Sequence, residues 1–388
     1  MKPLRLIVLG TLASIPYAGH GWVHMQLAVG LRRLGHDVYY FETTSAWPYD
    51  PLRQTPVGDS DYALPYLARF AQRFGLGDRW AYRRSYSDKA WFGLSRAKAE
   101  DLLVHADAVL NVAGATRLAE EGLKVGRLVY YGTDPVYDEI AFAKGEEDTC
   151  AFIGEHADVI TIGENIGRPD CPIPPLPRLR ARTRQPVLLD LWQAGSPSKK
   201  EFTTVGNWRQ DGHDIDYQGE TYYWSKHHEF LKFIDLPGRV DQHIELATSL
   251  AYLEPDVLCM LSSNGWRLTD AQPLSSDPWL YREYIRASRG EFTVAKDQNV
   301  RLRSGWFSDR SACYLAAGRP VITQDTGFGT VLPTGEGLFA FNTMEELIVA
   351  FEAINADYER HSRAARAIAE QYFRAETVLA EVLDNLGL

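Results

Sequence analysis

The sequence predicts an α/β protein with two doubly wound domains that face each other across a crevice. Its 388 residues exceed the usual size of a single hydrophobic core, so two domains are expected. Strand and helix patterns alternate both before and after a connector at residues 167–186, which contains six prolines. Proline at this density favours an extended segment over a core element.

The first domain begins with a strand–helix–strand unit over residues 5–41. Val23, Leu27, Leu31 and Leu34 recur at three- and four-residue spacing, which is typical of a buried helix face. The flanking segments "RLIVLGTL" and "HDVYYFE" are nearly continuous apolar runs, as expected for parallel strands buried on both faces. Further strands are predicted at "ADAVLNVA", "GRLVYYG" and "ADVITIG", and they extend one sheet to about residue 165.

The second domain repeats this alternation. Its strands are predicted at "EFTTVGNW", "DVLCML", "EFTVAKD" and "RPVIT", and the C-terminal residues have a helical pattern. The predicted boundaries are residues 1–170 for the first domain, 171–186 for the linker, 187–365 for the second domain, and 366–388 for a helix that packs back towards the first domain.

Composition and charge exclude several classes of function. The 51 acidic and 41 basic residues give a net charge of −10, which argues against a broad surface for nucleic acid or anionic membrane. The four cysteines form no C-x-x-C pair, so neither a zinc site nor a disulfide framework is predicted, and a reducing cytoplasm fits best. No apolar run is long enough to predict a membrane-spanning helix.

The N-terminus has two interpretations. A basic start followed by an apolar run is also typical of a short signal peptide. Because "RLIVLGTL" is followed at once by an amphipathic helix and a second strand, we interpret it as the first buried strand.

The segment Ser304–Gly329 combines a helix start, an apolar strand and a glycine-containing loop. Ser308 occupies the predicted N-cap, Asp309 lies in the first turn, and Gly318 ends the helix. Unpaired N–H groups at a helix N-terminus that faces a crevice suit a diphosphate. In the alternative interpretation, Ser308 only caps the helix and Asp309 only complements its dipole.

Within this segment, "CYLAAGRPVITQDTGFG" resembles the donor-site motif E-A-x-A-x-G-x-P-V-I of the GT-B glycosyltransferases, which consist of two Rossmann-like domains. The segments "TTVGNW" and "SKHHEFLKFIDL" resemble the V-G-R-L and K-G-x-D-x-L motifs of the same family. The resemblance implies that Asn207 and Lys226 take the places of the arginine and lysine that bind the donor diphosphate. It also places the loop Asp325, Thr326 and Gly327 beside the donor sugar.

The sequence departs from this family at two places. Cys313 stands where the ribose-binding glutamate is expected, and both glutamates of the retaining branch are absent. Asp309 precedes Cys313 by one helical turn, so we expect its carboxylate to replace that glutamate. Because Asn207 carries no charge, Lys226 or Arg310 would have to neutralise the phosphates.

The first domain supplies candidates for the acceptor side. In "PYAGHGWVH", Gly19 and Gly21 are predicted to form a tight strand-to-helix loop that exposes His20, a candidate general base. Alternatively, His20 is a plain polar loop residue. The G-x-G pattern of Gly19 and Gly21 lacks the third glycine of the dinucleotide-binding motif, so it is weak evidence for a dinucleotide site. Asp134 and Glu164 follow predicted strands, where carboxylates either act on substrate or form turns.

Two further residues are candidates for the donor side. Trp266 follows the predicted strand "DVLCML", and we expect it to stack on the nucleotide base, although core packing is an alternative. Lys296 ends the predicted strand "EFTVAKD" and is expected either to meet a phosphate or to be solvated.

The resemblance implies a cytoplasmic, metal-independent glycosyltransferase that uses a nucleotide-diphosphate sugar as co-substrate and needs no other cofactor. A helix dipole and basic side chains can stabilise the leaving diphosphate without a metal. The expected acceptor is a small or membrane-associated molecule rather than a nucleic acid. Two alternatives stay open: a sugar-nucleotide epimerase, and a sugar-nucleotide-binding protein without transfer activity.

Overall fold

The computed structural model describes residues 2–388 and contains two parallel sheets, one in each domain. The strands of the first domain are β1 (Arg5–Leu9), β2 (Asp37–Glu42), β3 (Tyr49–Asp50), β4 (Thr55–Pro56), β5 (Trp80–Arg83), β6 (Trp91–Gly93), β7 (Ala108–Val112), β8 (Leu128–Gly132), β9 (Asp158–Thr161) and β10 (Leu179–Arg182). Its helices are α1 (Ala18–Arg33), α2 (Ala63–Arg73), α3 (Arg96–His105), α4 (Tyr137–Ala143) and α5 (Glu147–Gly154).

The second domain follows a short helix, α6 (Leu189–Trp192). Its strands are β11 (Phe202–Val205), β12 (Ile215–Tyr217), β13 (Glu220–Tyr222), β14 (Ile244–Thr248), β15 (Arg267–Asp270), β16 (Gly290–Thr293), β17 (Val321–Gln324) and β18 (Leu338–Phe341). Its helices, together with the C-terminal helix α15, are α7 (His227–Lys232), α8 (Pro255–Ser263), α9 (Ala271–Ser275), α10 (Pro278–Ala287), α11 (Asp297–Arg301), α12 (Asp309–Ala316), α13 (Met344–Ala356), α14 (Tyr358–Tyr372) and α15 (Ala375–Leu386).

Both sheets are doubly wound, as predicted. The first has the order β10-β9-β8-β7-β1-β2-β5-β6, with only the β5–β6 pair antiparallel. The second has the order β15-β14-β11-β16-β17-β18 and is parallel throughout. The strand order therefore reverses between β1 and β7 in one sheet and between β11 and β16 in the other. In open α/β sheets these switch points are where ligands bind, at the carboxyl ends of the strands.

One strand of the second domain was predicted in the wrong place. The segment "DVLCML" forms part of helix α8, which has Pro255 at its first position and Asp256 in its first turn, both favourable at a helix start. The strand in this region is β14, which is buried throughout but contains Glu245. The charged residue interrupts the apolar run in the sequence. Its carboxylate is bound by Lys199 and by the Tyr284 hydroxyl.

The boundary between the domains also differs from the prediction. Residues 171–186 are not a free linker, because β10 lies within them and pairs in parallel with β9 of the first sheet. The chain returns to the first domain through α15, whose Leu379 packs against Gly30 of α1. Helix α14 still packs on α12 of the second domain, so the return begins later than the predicted residue 366.

The two domains are in direct contact around Asn165 of the first domain. Its side-chain amide donates to the carbonyl oxygens of Arg303 and Gly327 at 3.1 and 2.9 Å, and its oxygen accepts from Thr330 at 2.8 Å. Gly305 and Gly327, both with positive φ, pass so close to Asn165 that a Cβ atom at either would lie under 3.0 Å from it. Asn165 therefore links the domains beside the crevice.

Candidate active site

A cleft of about 350 Å³ lies between the carboxyl ends of the two sheets. Its walls come from the segments that follow β1, β7, β8, β11, β14 and β15, and from the start of α12. The sequence-predicted residues that line it are Gly19, His20, Asp134, Asn207 and Asp309. The crevice expected from the two switch points is therefore present.

Helix α1 begins earlier than predicted and carries His20 into the cleft. The helix starts at Ala18, so Gly19, His20 and Gly21 form its first turn and not a loop. Gly21 is buried, and a Cβ atom there would lie 2.7 Å from Phe70, so this glycine serves helix packing and not the acceptor side. His20 is only partly exposed, because the helix packs against the sheet.

The surroundings of His20 keep its imidazole neutral. Burial, with a smaller contribution from the adjacent His24, lowers the pKa of His20 well below its usual value. Its Nε2 lies 2.7 Å from the hydroxyl of Thr11. When Nε2–H donates to that hydroxyl, the Nδ1 lone pair is available to accept a proton.

The loop that carries Thr11 is fixed by Glu42 at the end of β2. The Glu42 carboxylate is fully buried and accepts hydrogen bonds from the backbone N–H groups of Ala13 and Ser14 at 2.8 and 2.6 Å. Burial raises the pKa of Glu42 to about 7, although these hydrogen bonds act in the opposite direction. Sequence analysis missed Glu42, because a glutamate that ends an apolar strand carries no motif.

An ion pair beside the cleft links the two domains. Lys296, which follows β16, is 6% exposed and bonds to the carboxylate of Asp134, which follows β8. Its ammonium also lies over the ring of Trp224. Burial lowers the pKa of Lys296, and Asp134 opposes this effect. Of the two alternatives for Lys296, solvation is therefore wrong, and contact with a phosphate stays a prediction.

Arg310 provides a buried cation at the floor of the cleft. Its guanidinium donates to Glu291 Oε1 at 2.5 Å, to the carbonyl of Val205 at 2.6 Å and to the hydroxyl of Thr293 at 2.9 Å. Glu291 is fully buried, and its carboxylate raises the pKa of Arg310 against the effect of burial. Three bonds leave two of the five guanidinium N–H groups for a ligand.

Lys226 lies beside this floor, at the start of α7. Its ammonium is 5.4 Å from the centre of the Trp306 ring, which lines the cleft. Burial, and then the positive charges of Arg310 and Lys296, lower the pKa of Lys226 to about 7. Three cationic side chains thus converge on one side of the cleft, where a bound anion would stabilise all three charges.

The first turn of α12 faces the cleft as predicted. Ser308 takes the N-cap position, but its side chain makes no capping hydrogen bond. Asp309 lines the cleft, and burial raises the pKa of its carboxyl group while Arg310 acts against this shift. Cys313 lies one turn deeper, 1% exposed, and its sulfur accepts from the Gln26 amide at 3.7 Å. Asn207, which follows β11, is exposed and also lines the cleft.

Two predicted site residues lie elsewhere. Trp266 is 4% exposed in the core of the second domain, where its indole donates to the carbonyl of Ile234 at 2.7 Å, so it cannot stack on a base in the cleft. Glu164 is buried and paired with Arg184 at 2.5 Å. Because burial and this pairing remove it from the cleft surface, Glu164 is not an acceptor-side residue.

The predicted sugar-side loop is packed against the first domain. Asp325 accepts from the backbone N–H of Gly327 at 2.7 Å, and the Thr326 hydroxyl donates to the carbonyl of Trp306 at 2.6 Å. Gly327 contacts Asn165, as described above. None of the three residues is among those that line the cleft, whereas Trp306, which Thr326 contacts, is.

Several aromatic and amide side chains of the cleft carry no sequence signal. The lining residues missed by sequence analysis include Tyr17, Gln185, Gln272, Tyr281 and Trp306. Tyr281 lies on the amphipathic helix α10, where helical spacing predicts core packing equally well.

No protein-family model matches the sequence, and no curated protein matches it. Solved structures of similar fold include Anabaena HepE in complex with UDP and glucose, with 12% identity, a TM-score of 0.57 and 99% of each chain covered. An α-glucosyltransferase in complex with UDP and a 13-mer DNA containing an HMU base has 11% identity, a TM-score of 0.58 and full coverage of both chains. AviGT4, a glycosyltransferase involved in avilamycin A biosynthesis, has 13% identity and a TM-score of 0.53, with 98% of this chain and 96% of that chain covered. The chain therefore has the GT-B fold over its whole length, as the resemblance predicted.

The Arg310–Glu291 pair predicts a large loss of stability when one partner is removed. We expect Arg310→Met to lower the free energy of unfolding by about 3 to 5 kcal/mol, because it leaves the Glu291 carboxylate buried without a counter-ion. Glu291→Gln in the same chain should restore most of this loss. Chemical denaturation of both variants measures the difference.

Arg209→Met is the matched control, since Arg209 is 63% exposed and pairs only with the exposed Asp211. It should change the free energy of unfolding by less than about 1 kcal/mol. Equal losses in Arg310→Met and in the double variant would contradict a stabilising role for the pair.

Proposed function

We propose that this protein is a glycosyltransferase that moves a sugar from a nucleotide-diphosphate sugar to an acceptor hydroxyl. The observation that carries the proposal is a group of three cations beside the cleft where both sheets have their switch points. Arg310 lines the cleft, Lys296 pairs with the lining residue Asp134, and the Lys226 ammonium lies 5.4 Å from the ring of the lining residue Trp306. Arg310 and Lys296 are paired with carboxylates, so a diphosphate would supply the negative charge that Lys226 lacks. The GT-B fold supports the same activity, because it is the fold of the UDP-bound glycosyltransferases described above.

In this proposal the first turn of α12 receives the donor. The N-terminal N–H groups of the helix and the free donors of Arg310 suit the diphosphate. Asp309 faces the same cavity, and its carboxylate has no hydrogen-bond partner among residues 2–388 other than backbone groups of its own turn. We assign it to the ribose hydroxyls in place of the glutamate that Cys313 replaces. Asn207, which also lines the cleft, would add an uncharged hydrogen bond to the phosphates.

The acceptor proton requires a base on the first-domain side. The bond from the sugar C1 to the diphosphate oxygen breaks, the electron pair leaves with the diphosphate, and the acceptor oxygen bonds to C1 as it loses its proton. His20 is neutral and lines the cleft, which suits this role. Asp134 is the second candidate, but its carboxylate is engaged by Lys296. The cations near the leaving diphosphate favour a reaction that needs no metal.

Metal independence and a cytoplasmic location remain predictions. Across the described part of the chain, no three His, Cys, Asp or Glu side chains are grouped as ligands of one metal ion. Within residues 2–388, none of the helices is long and apolar enough to span a bilayer. Activity measured with and without a chelating agent tests the first prediction.

A donor and acceptor panel tests the proposed function. The protein is incubated with UDP-, GDP- and dTDP-sugars, with and without a mixture of acceptors, while free nucleoside diphosphate and sugar identity are followed. A transferase releases the diphosphate faster when an acceptor is present. Conversion of the sugar without an acceptor would identify an epimerase, and binding without turnover would identify a binding protein.

The pKa of Lys226 predicts a pH dependence of donor affinity. The free site has a Lys226 pKa of about 7, and a bound diphosphate must raise that pKa because it favours the ammonium form. Affinity for the sugar nucleotide should therefore be constant below pH 7 and fall above it, by at most about tenfold per pH unit. Calorimetric titrations from pH 6 to pH 9 measure it.

The titration uses a sugar nucleotide and not a free nucleoside diphosphate. The terminal phosphate of a free diphosphate has a pKa of about 6, so its own titration would add to the measured pH profile. Lys226→Met is the control and should bind weakly with no fall above pH 7. An identical pH profile in this variant would assign the effect to another group.

The role of His20 predicts a loss of turnover at constant donor affinity. General-base help is worth about 10² to 10⁴ in rate, so His20→Ala should lower turnover at least about a hundredfold. Donor affinity should stay unchanged, because the donor-binding groups belong to the second domain. Steady-state kinetics and donor titrations on the same preparation measure both quantities.

Thr11→Val is the matched variant, since it keeps the size of the side chain but removes the hydroxyl beside His20 Nε2. It should lower turnover less than His20→Ala does. Near-normal turnover of His20→Ala would transfer the role of base to Asp134.

A further inference from the structure

A second cavity, of about 260 Å³, opens beside the cleft and shares three of its lining residues. We call it the aromatic groove, and its lining consists of Tyr17, Tyr49, Asn207, Trp208, Arg209, Thr248, Ser249, Tyr252 and Leu253. Tyr17, Asn207 and Ser249 belong to both cavities, so the aromatic groove and the cleft adjoin each other.

The aromatic wall of this groove is built by both domains. Tyr49 lies on the β3–β4 hairpin of the first domain, and its hydroxyl is 3.0 Å from that of Tyr252, which follows β14 in the second. The Tyr252 hydroxyl also lies 3.2 Å from the carbonyl of Gln54 on the same hairpin. The ring of Tyr17 is 5.6 Å from that of Tyr49. These hydroxyl contacts hold the phenol rings in place, while the Tyr252 side chain stays 60% exposed.

Polar side chains complete the groove on its cleft side. The side chains of Asn207 and Ser249 have no hydrogen-bond partner in the described part of the chain, so both can bind a ligand. The one charged residue is Arg209, and Asp211 is paired with it at 3.3 Å. The groove therefore offers the exposed phenol ring of Tyr252, the half-buried rings of Tyr17 and Tyr49, free amide and hydroxyl groups, and little net charge.

We propose that the aromatic groove binds a sugar ring of a carbohydrate acceptor. A pyranose has one face of C–H groups, which can pack on a phenol ring, and an edge of hydroxyl groups, which require donors and acceptors. An alkyl chain would leave the Ser249 hydroxyl unpaired, and a polyanion would need more cations than Arg209. The proposal rests on the proposed function and specifies its acceptor class.

Saturation-transfer NMR on the full-length protein tests the proposal, with methyl glucoside, methyl galactoside, maltose and cellobiose as probes and octanol as the alkyl comparison. We expect magnetisation transfer to the ring protons of at least one saccharide. Tyr252→Ala should weaken that binding about tenfold through the loss of one aromatic contact. Tyr252→Phe keeps the ring but loses the hydroxyl contacts that position it, so it should weaken binding less than Tyr252→Ala does. Tyr223→Ala is the matched control, since Tyr223 is an exposed aromatic of the same domain outside both cavities.

Three results would overturn the proposal: no saccharide binding by the unaltered protein, unchanged binding by Tyr252→Ala, or binding of octanol alone. Tyr252 is largely exposed, so its variants should fold, and thermal melting verifies this. Calorimetry with the sugar-nucleotide panel on the same variants separates the two proposals. Absence of donor binding by the unaltered protein would reject the proposed function. Donor binding without any saccharide binding would reject only the proposal that the aromatic groove binds a sugar ring.

Discussion

The candidate site depends on the packing of helix α1 between the two domains. Trp22 is almost completely buried, and its indole donates to the carbonyl of Pro278 in the second domain at 2.9 Å. One turn on, the Gln26 oxygen accepts from Leu188 and from the Trp192 indole. These contacts fix the first turn of α1, and therefore His20, relative to the floor of the cleft. A shift of this helix would separate the acceptor side from the donor side.

The cations beside the cleft differ in how they are compensated. Arg310 is held by the buried Glu291, and Lys296 by Asp134. Lys226 has no carboxylate at hydrogen-bond distance within residues 2–388, and its pKa of about 7 reflects burial first and then the two neighbouring cations. Rigid charges of this kind stabilise a leaving anion without reorganisation, which is the basis of electrostatic catalysis.

The chain keeps the GT-B fold while its site departs from the motifs of that family. Cys313 is buried against Gln26, so the place of the ribose-binding glutamate has become part of the contact with α1. Asp309 supplies a carboxylate one turn closer to the cleft. The aromatic groove adds a surface that neither domain could form alone, because Tyr49 and Tyr252 belong to different domains.

The sequence by itself determined the two doubly wound sheets, since nearly continuous apolar runs such as β1 and β8 are typical of central parallel strands, and strand and helix patterns alternate in both halves of the chain. It also determined that Asp134, Asn207 and Asp309 meet, because residues after such strands and at such helix starts lie at one edge. Tertiary structure alone decided which polar and aromatic residues face the cleft. Trp266, which follows α8, lies in the core, whereas Tyr281 on α10 lines the cleft. Side-chain burial depends on the elements packed against each position and not on its neighbours in sequence.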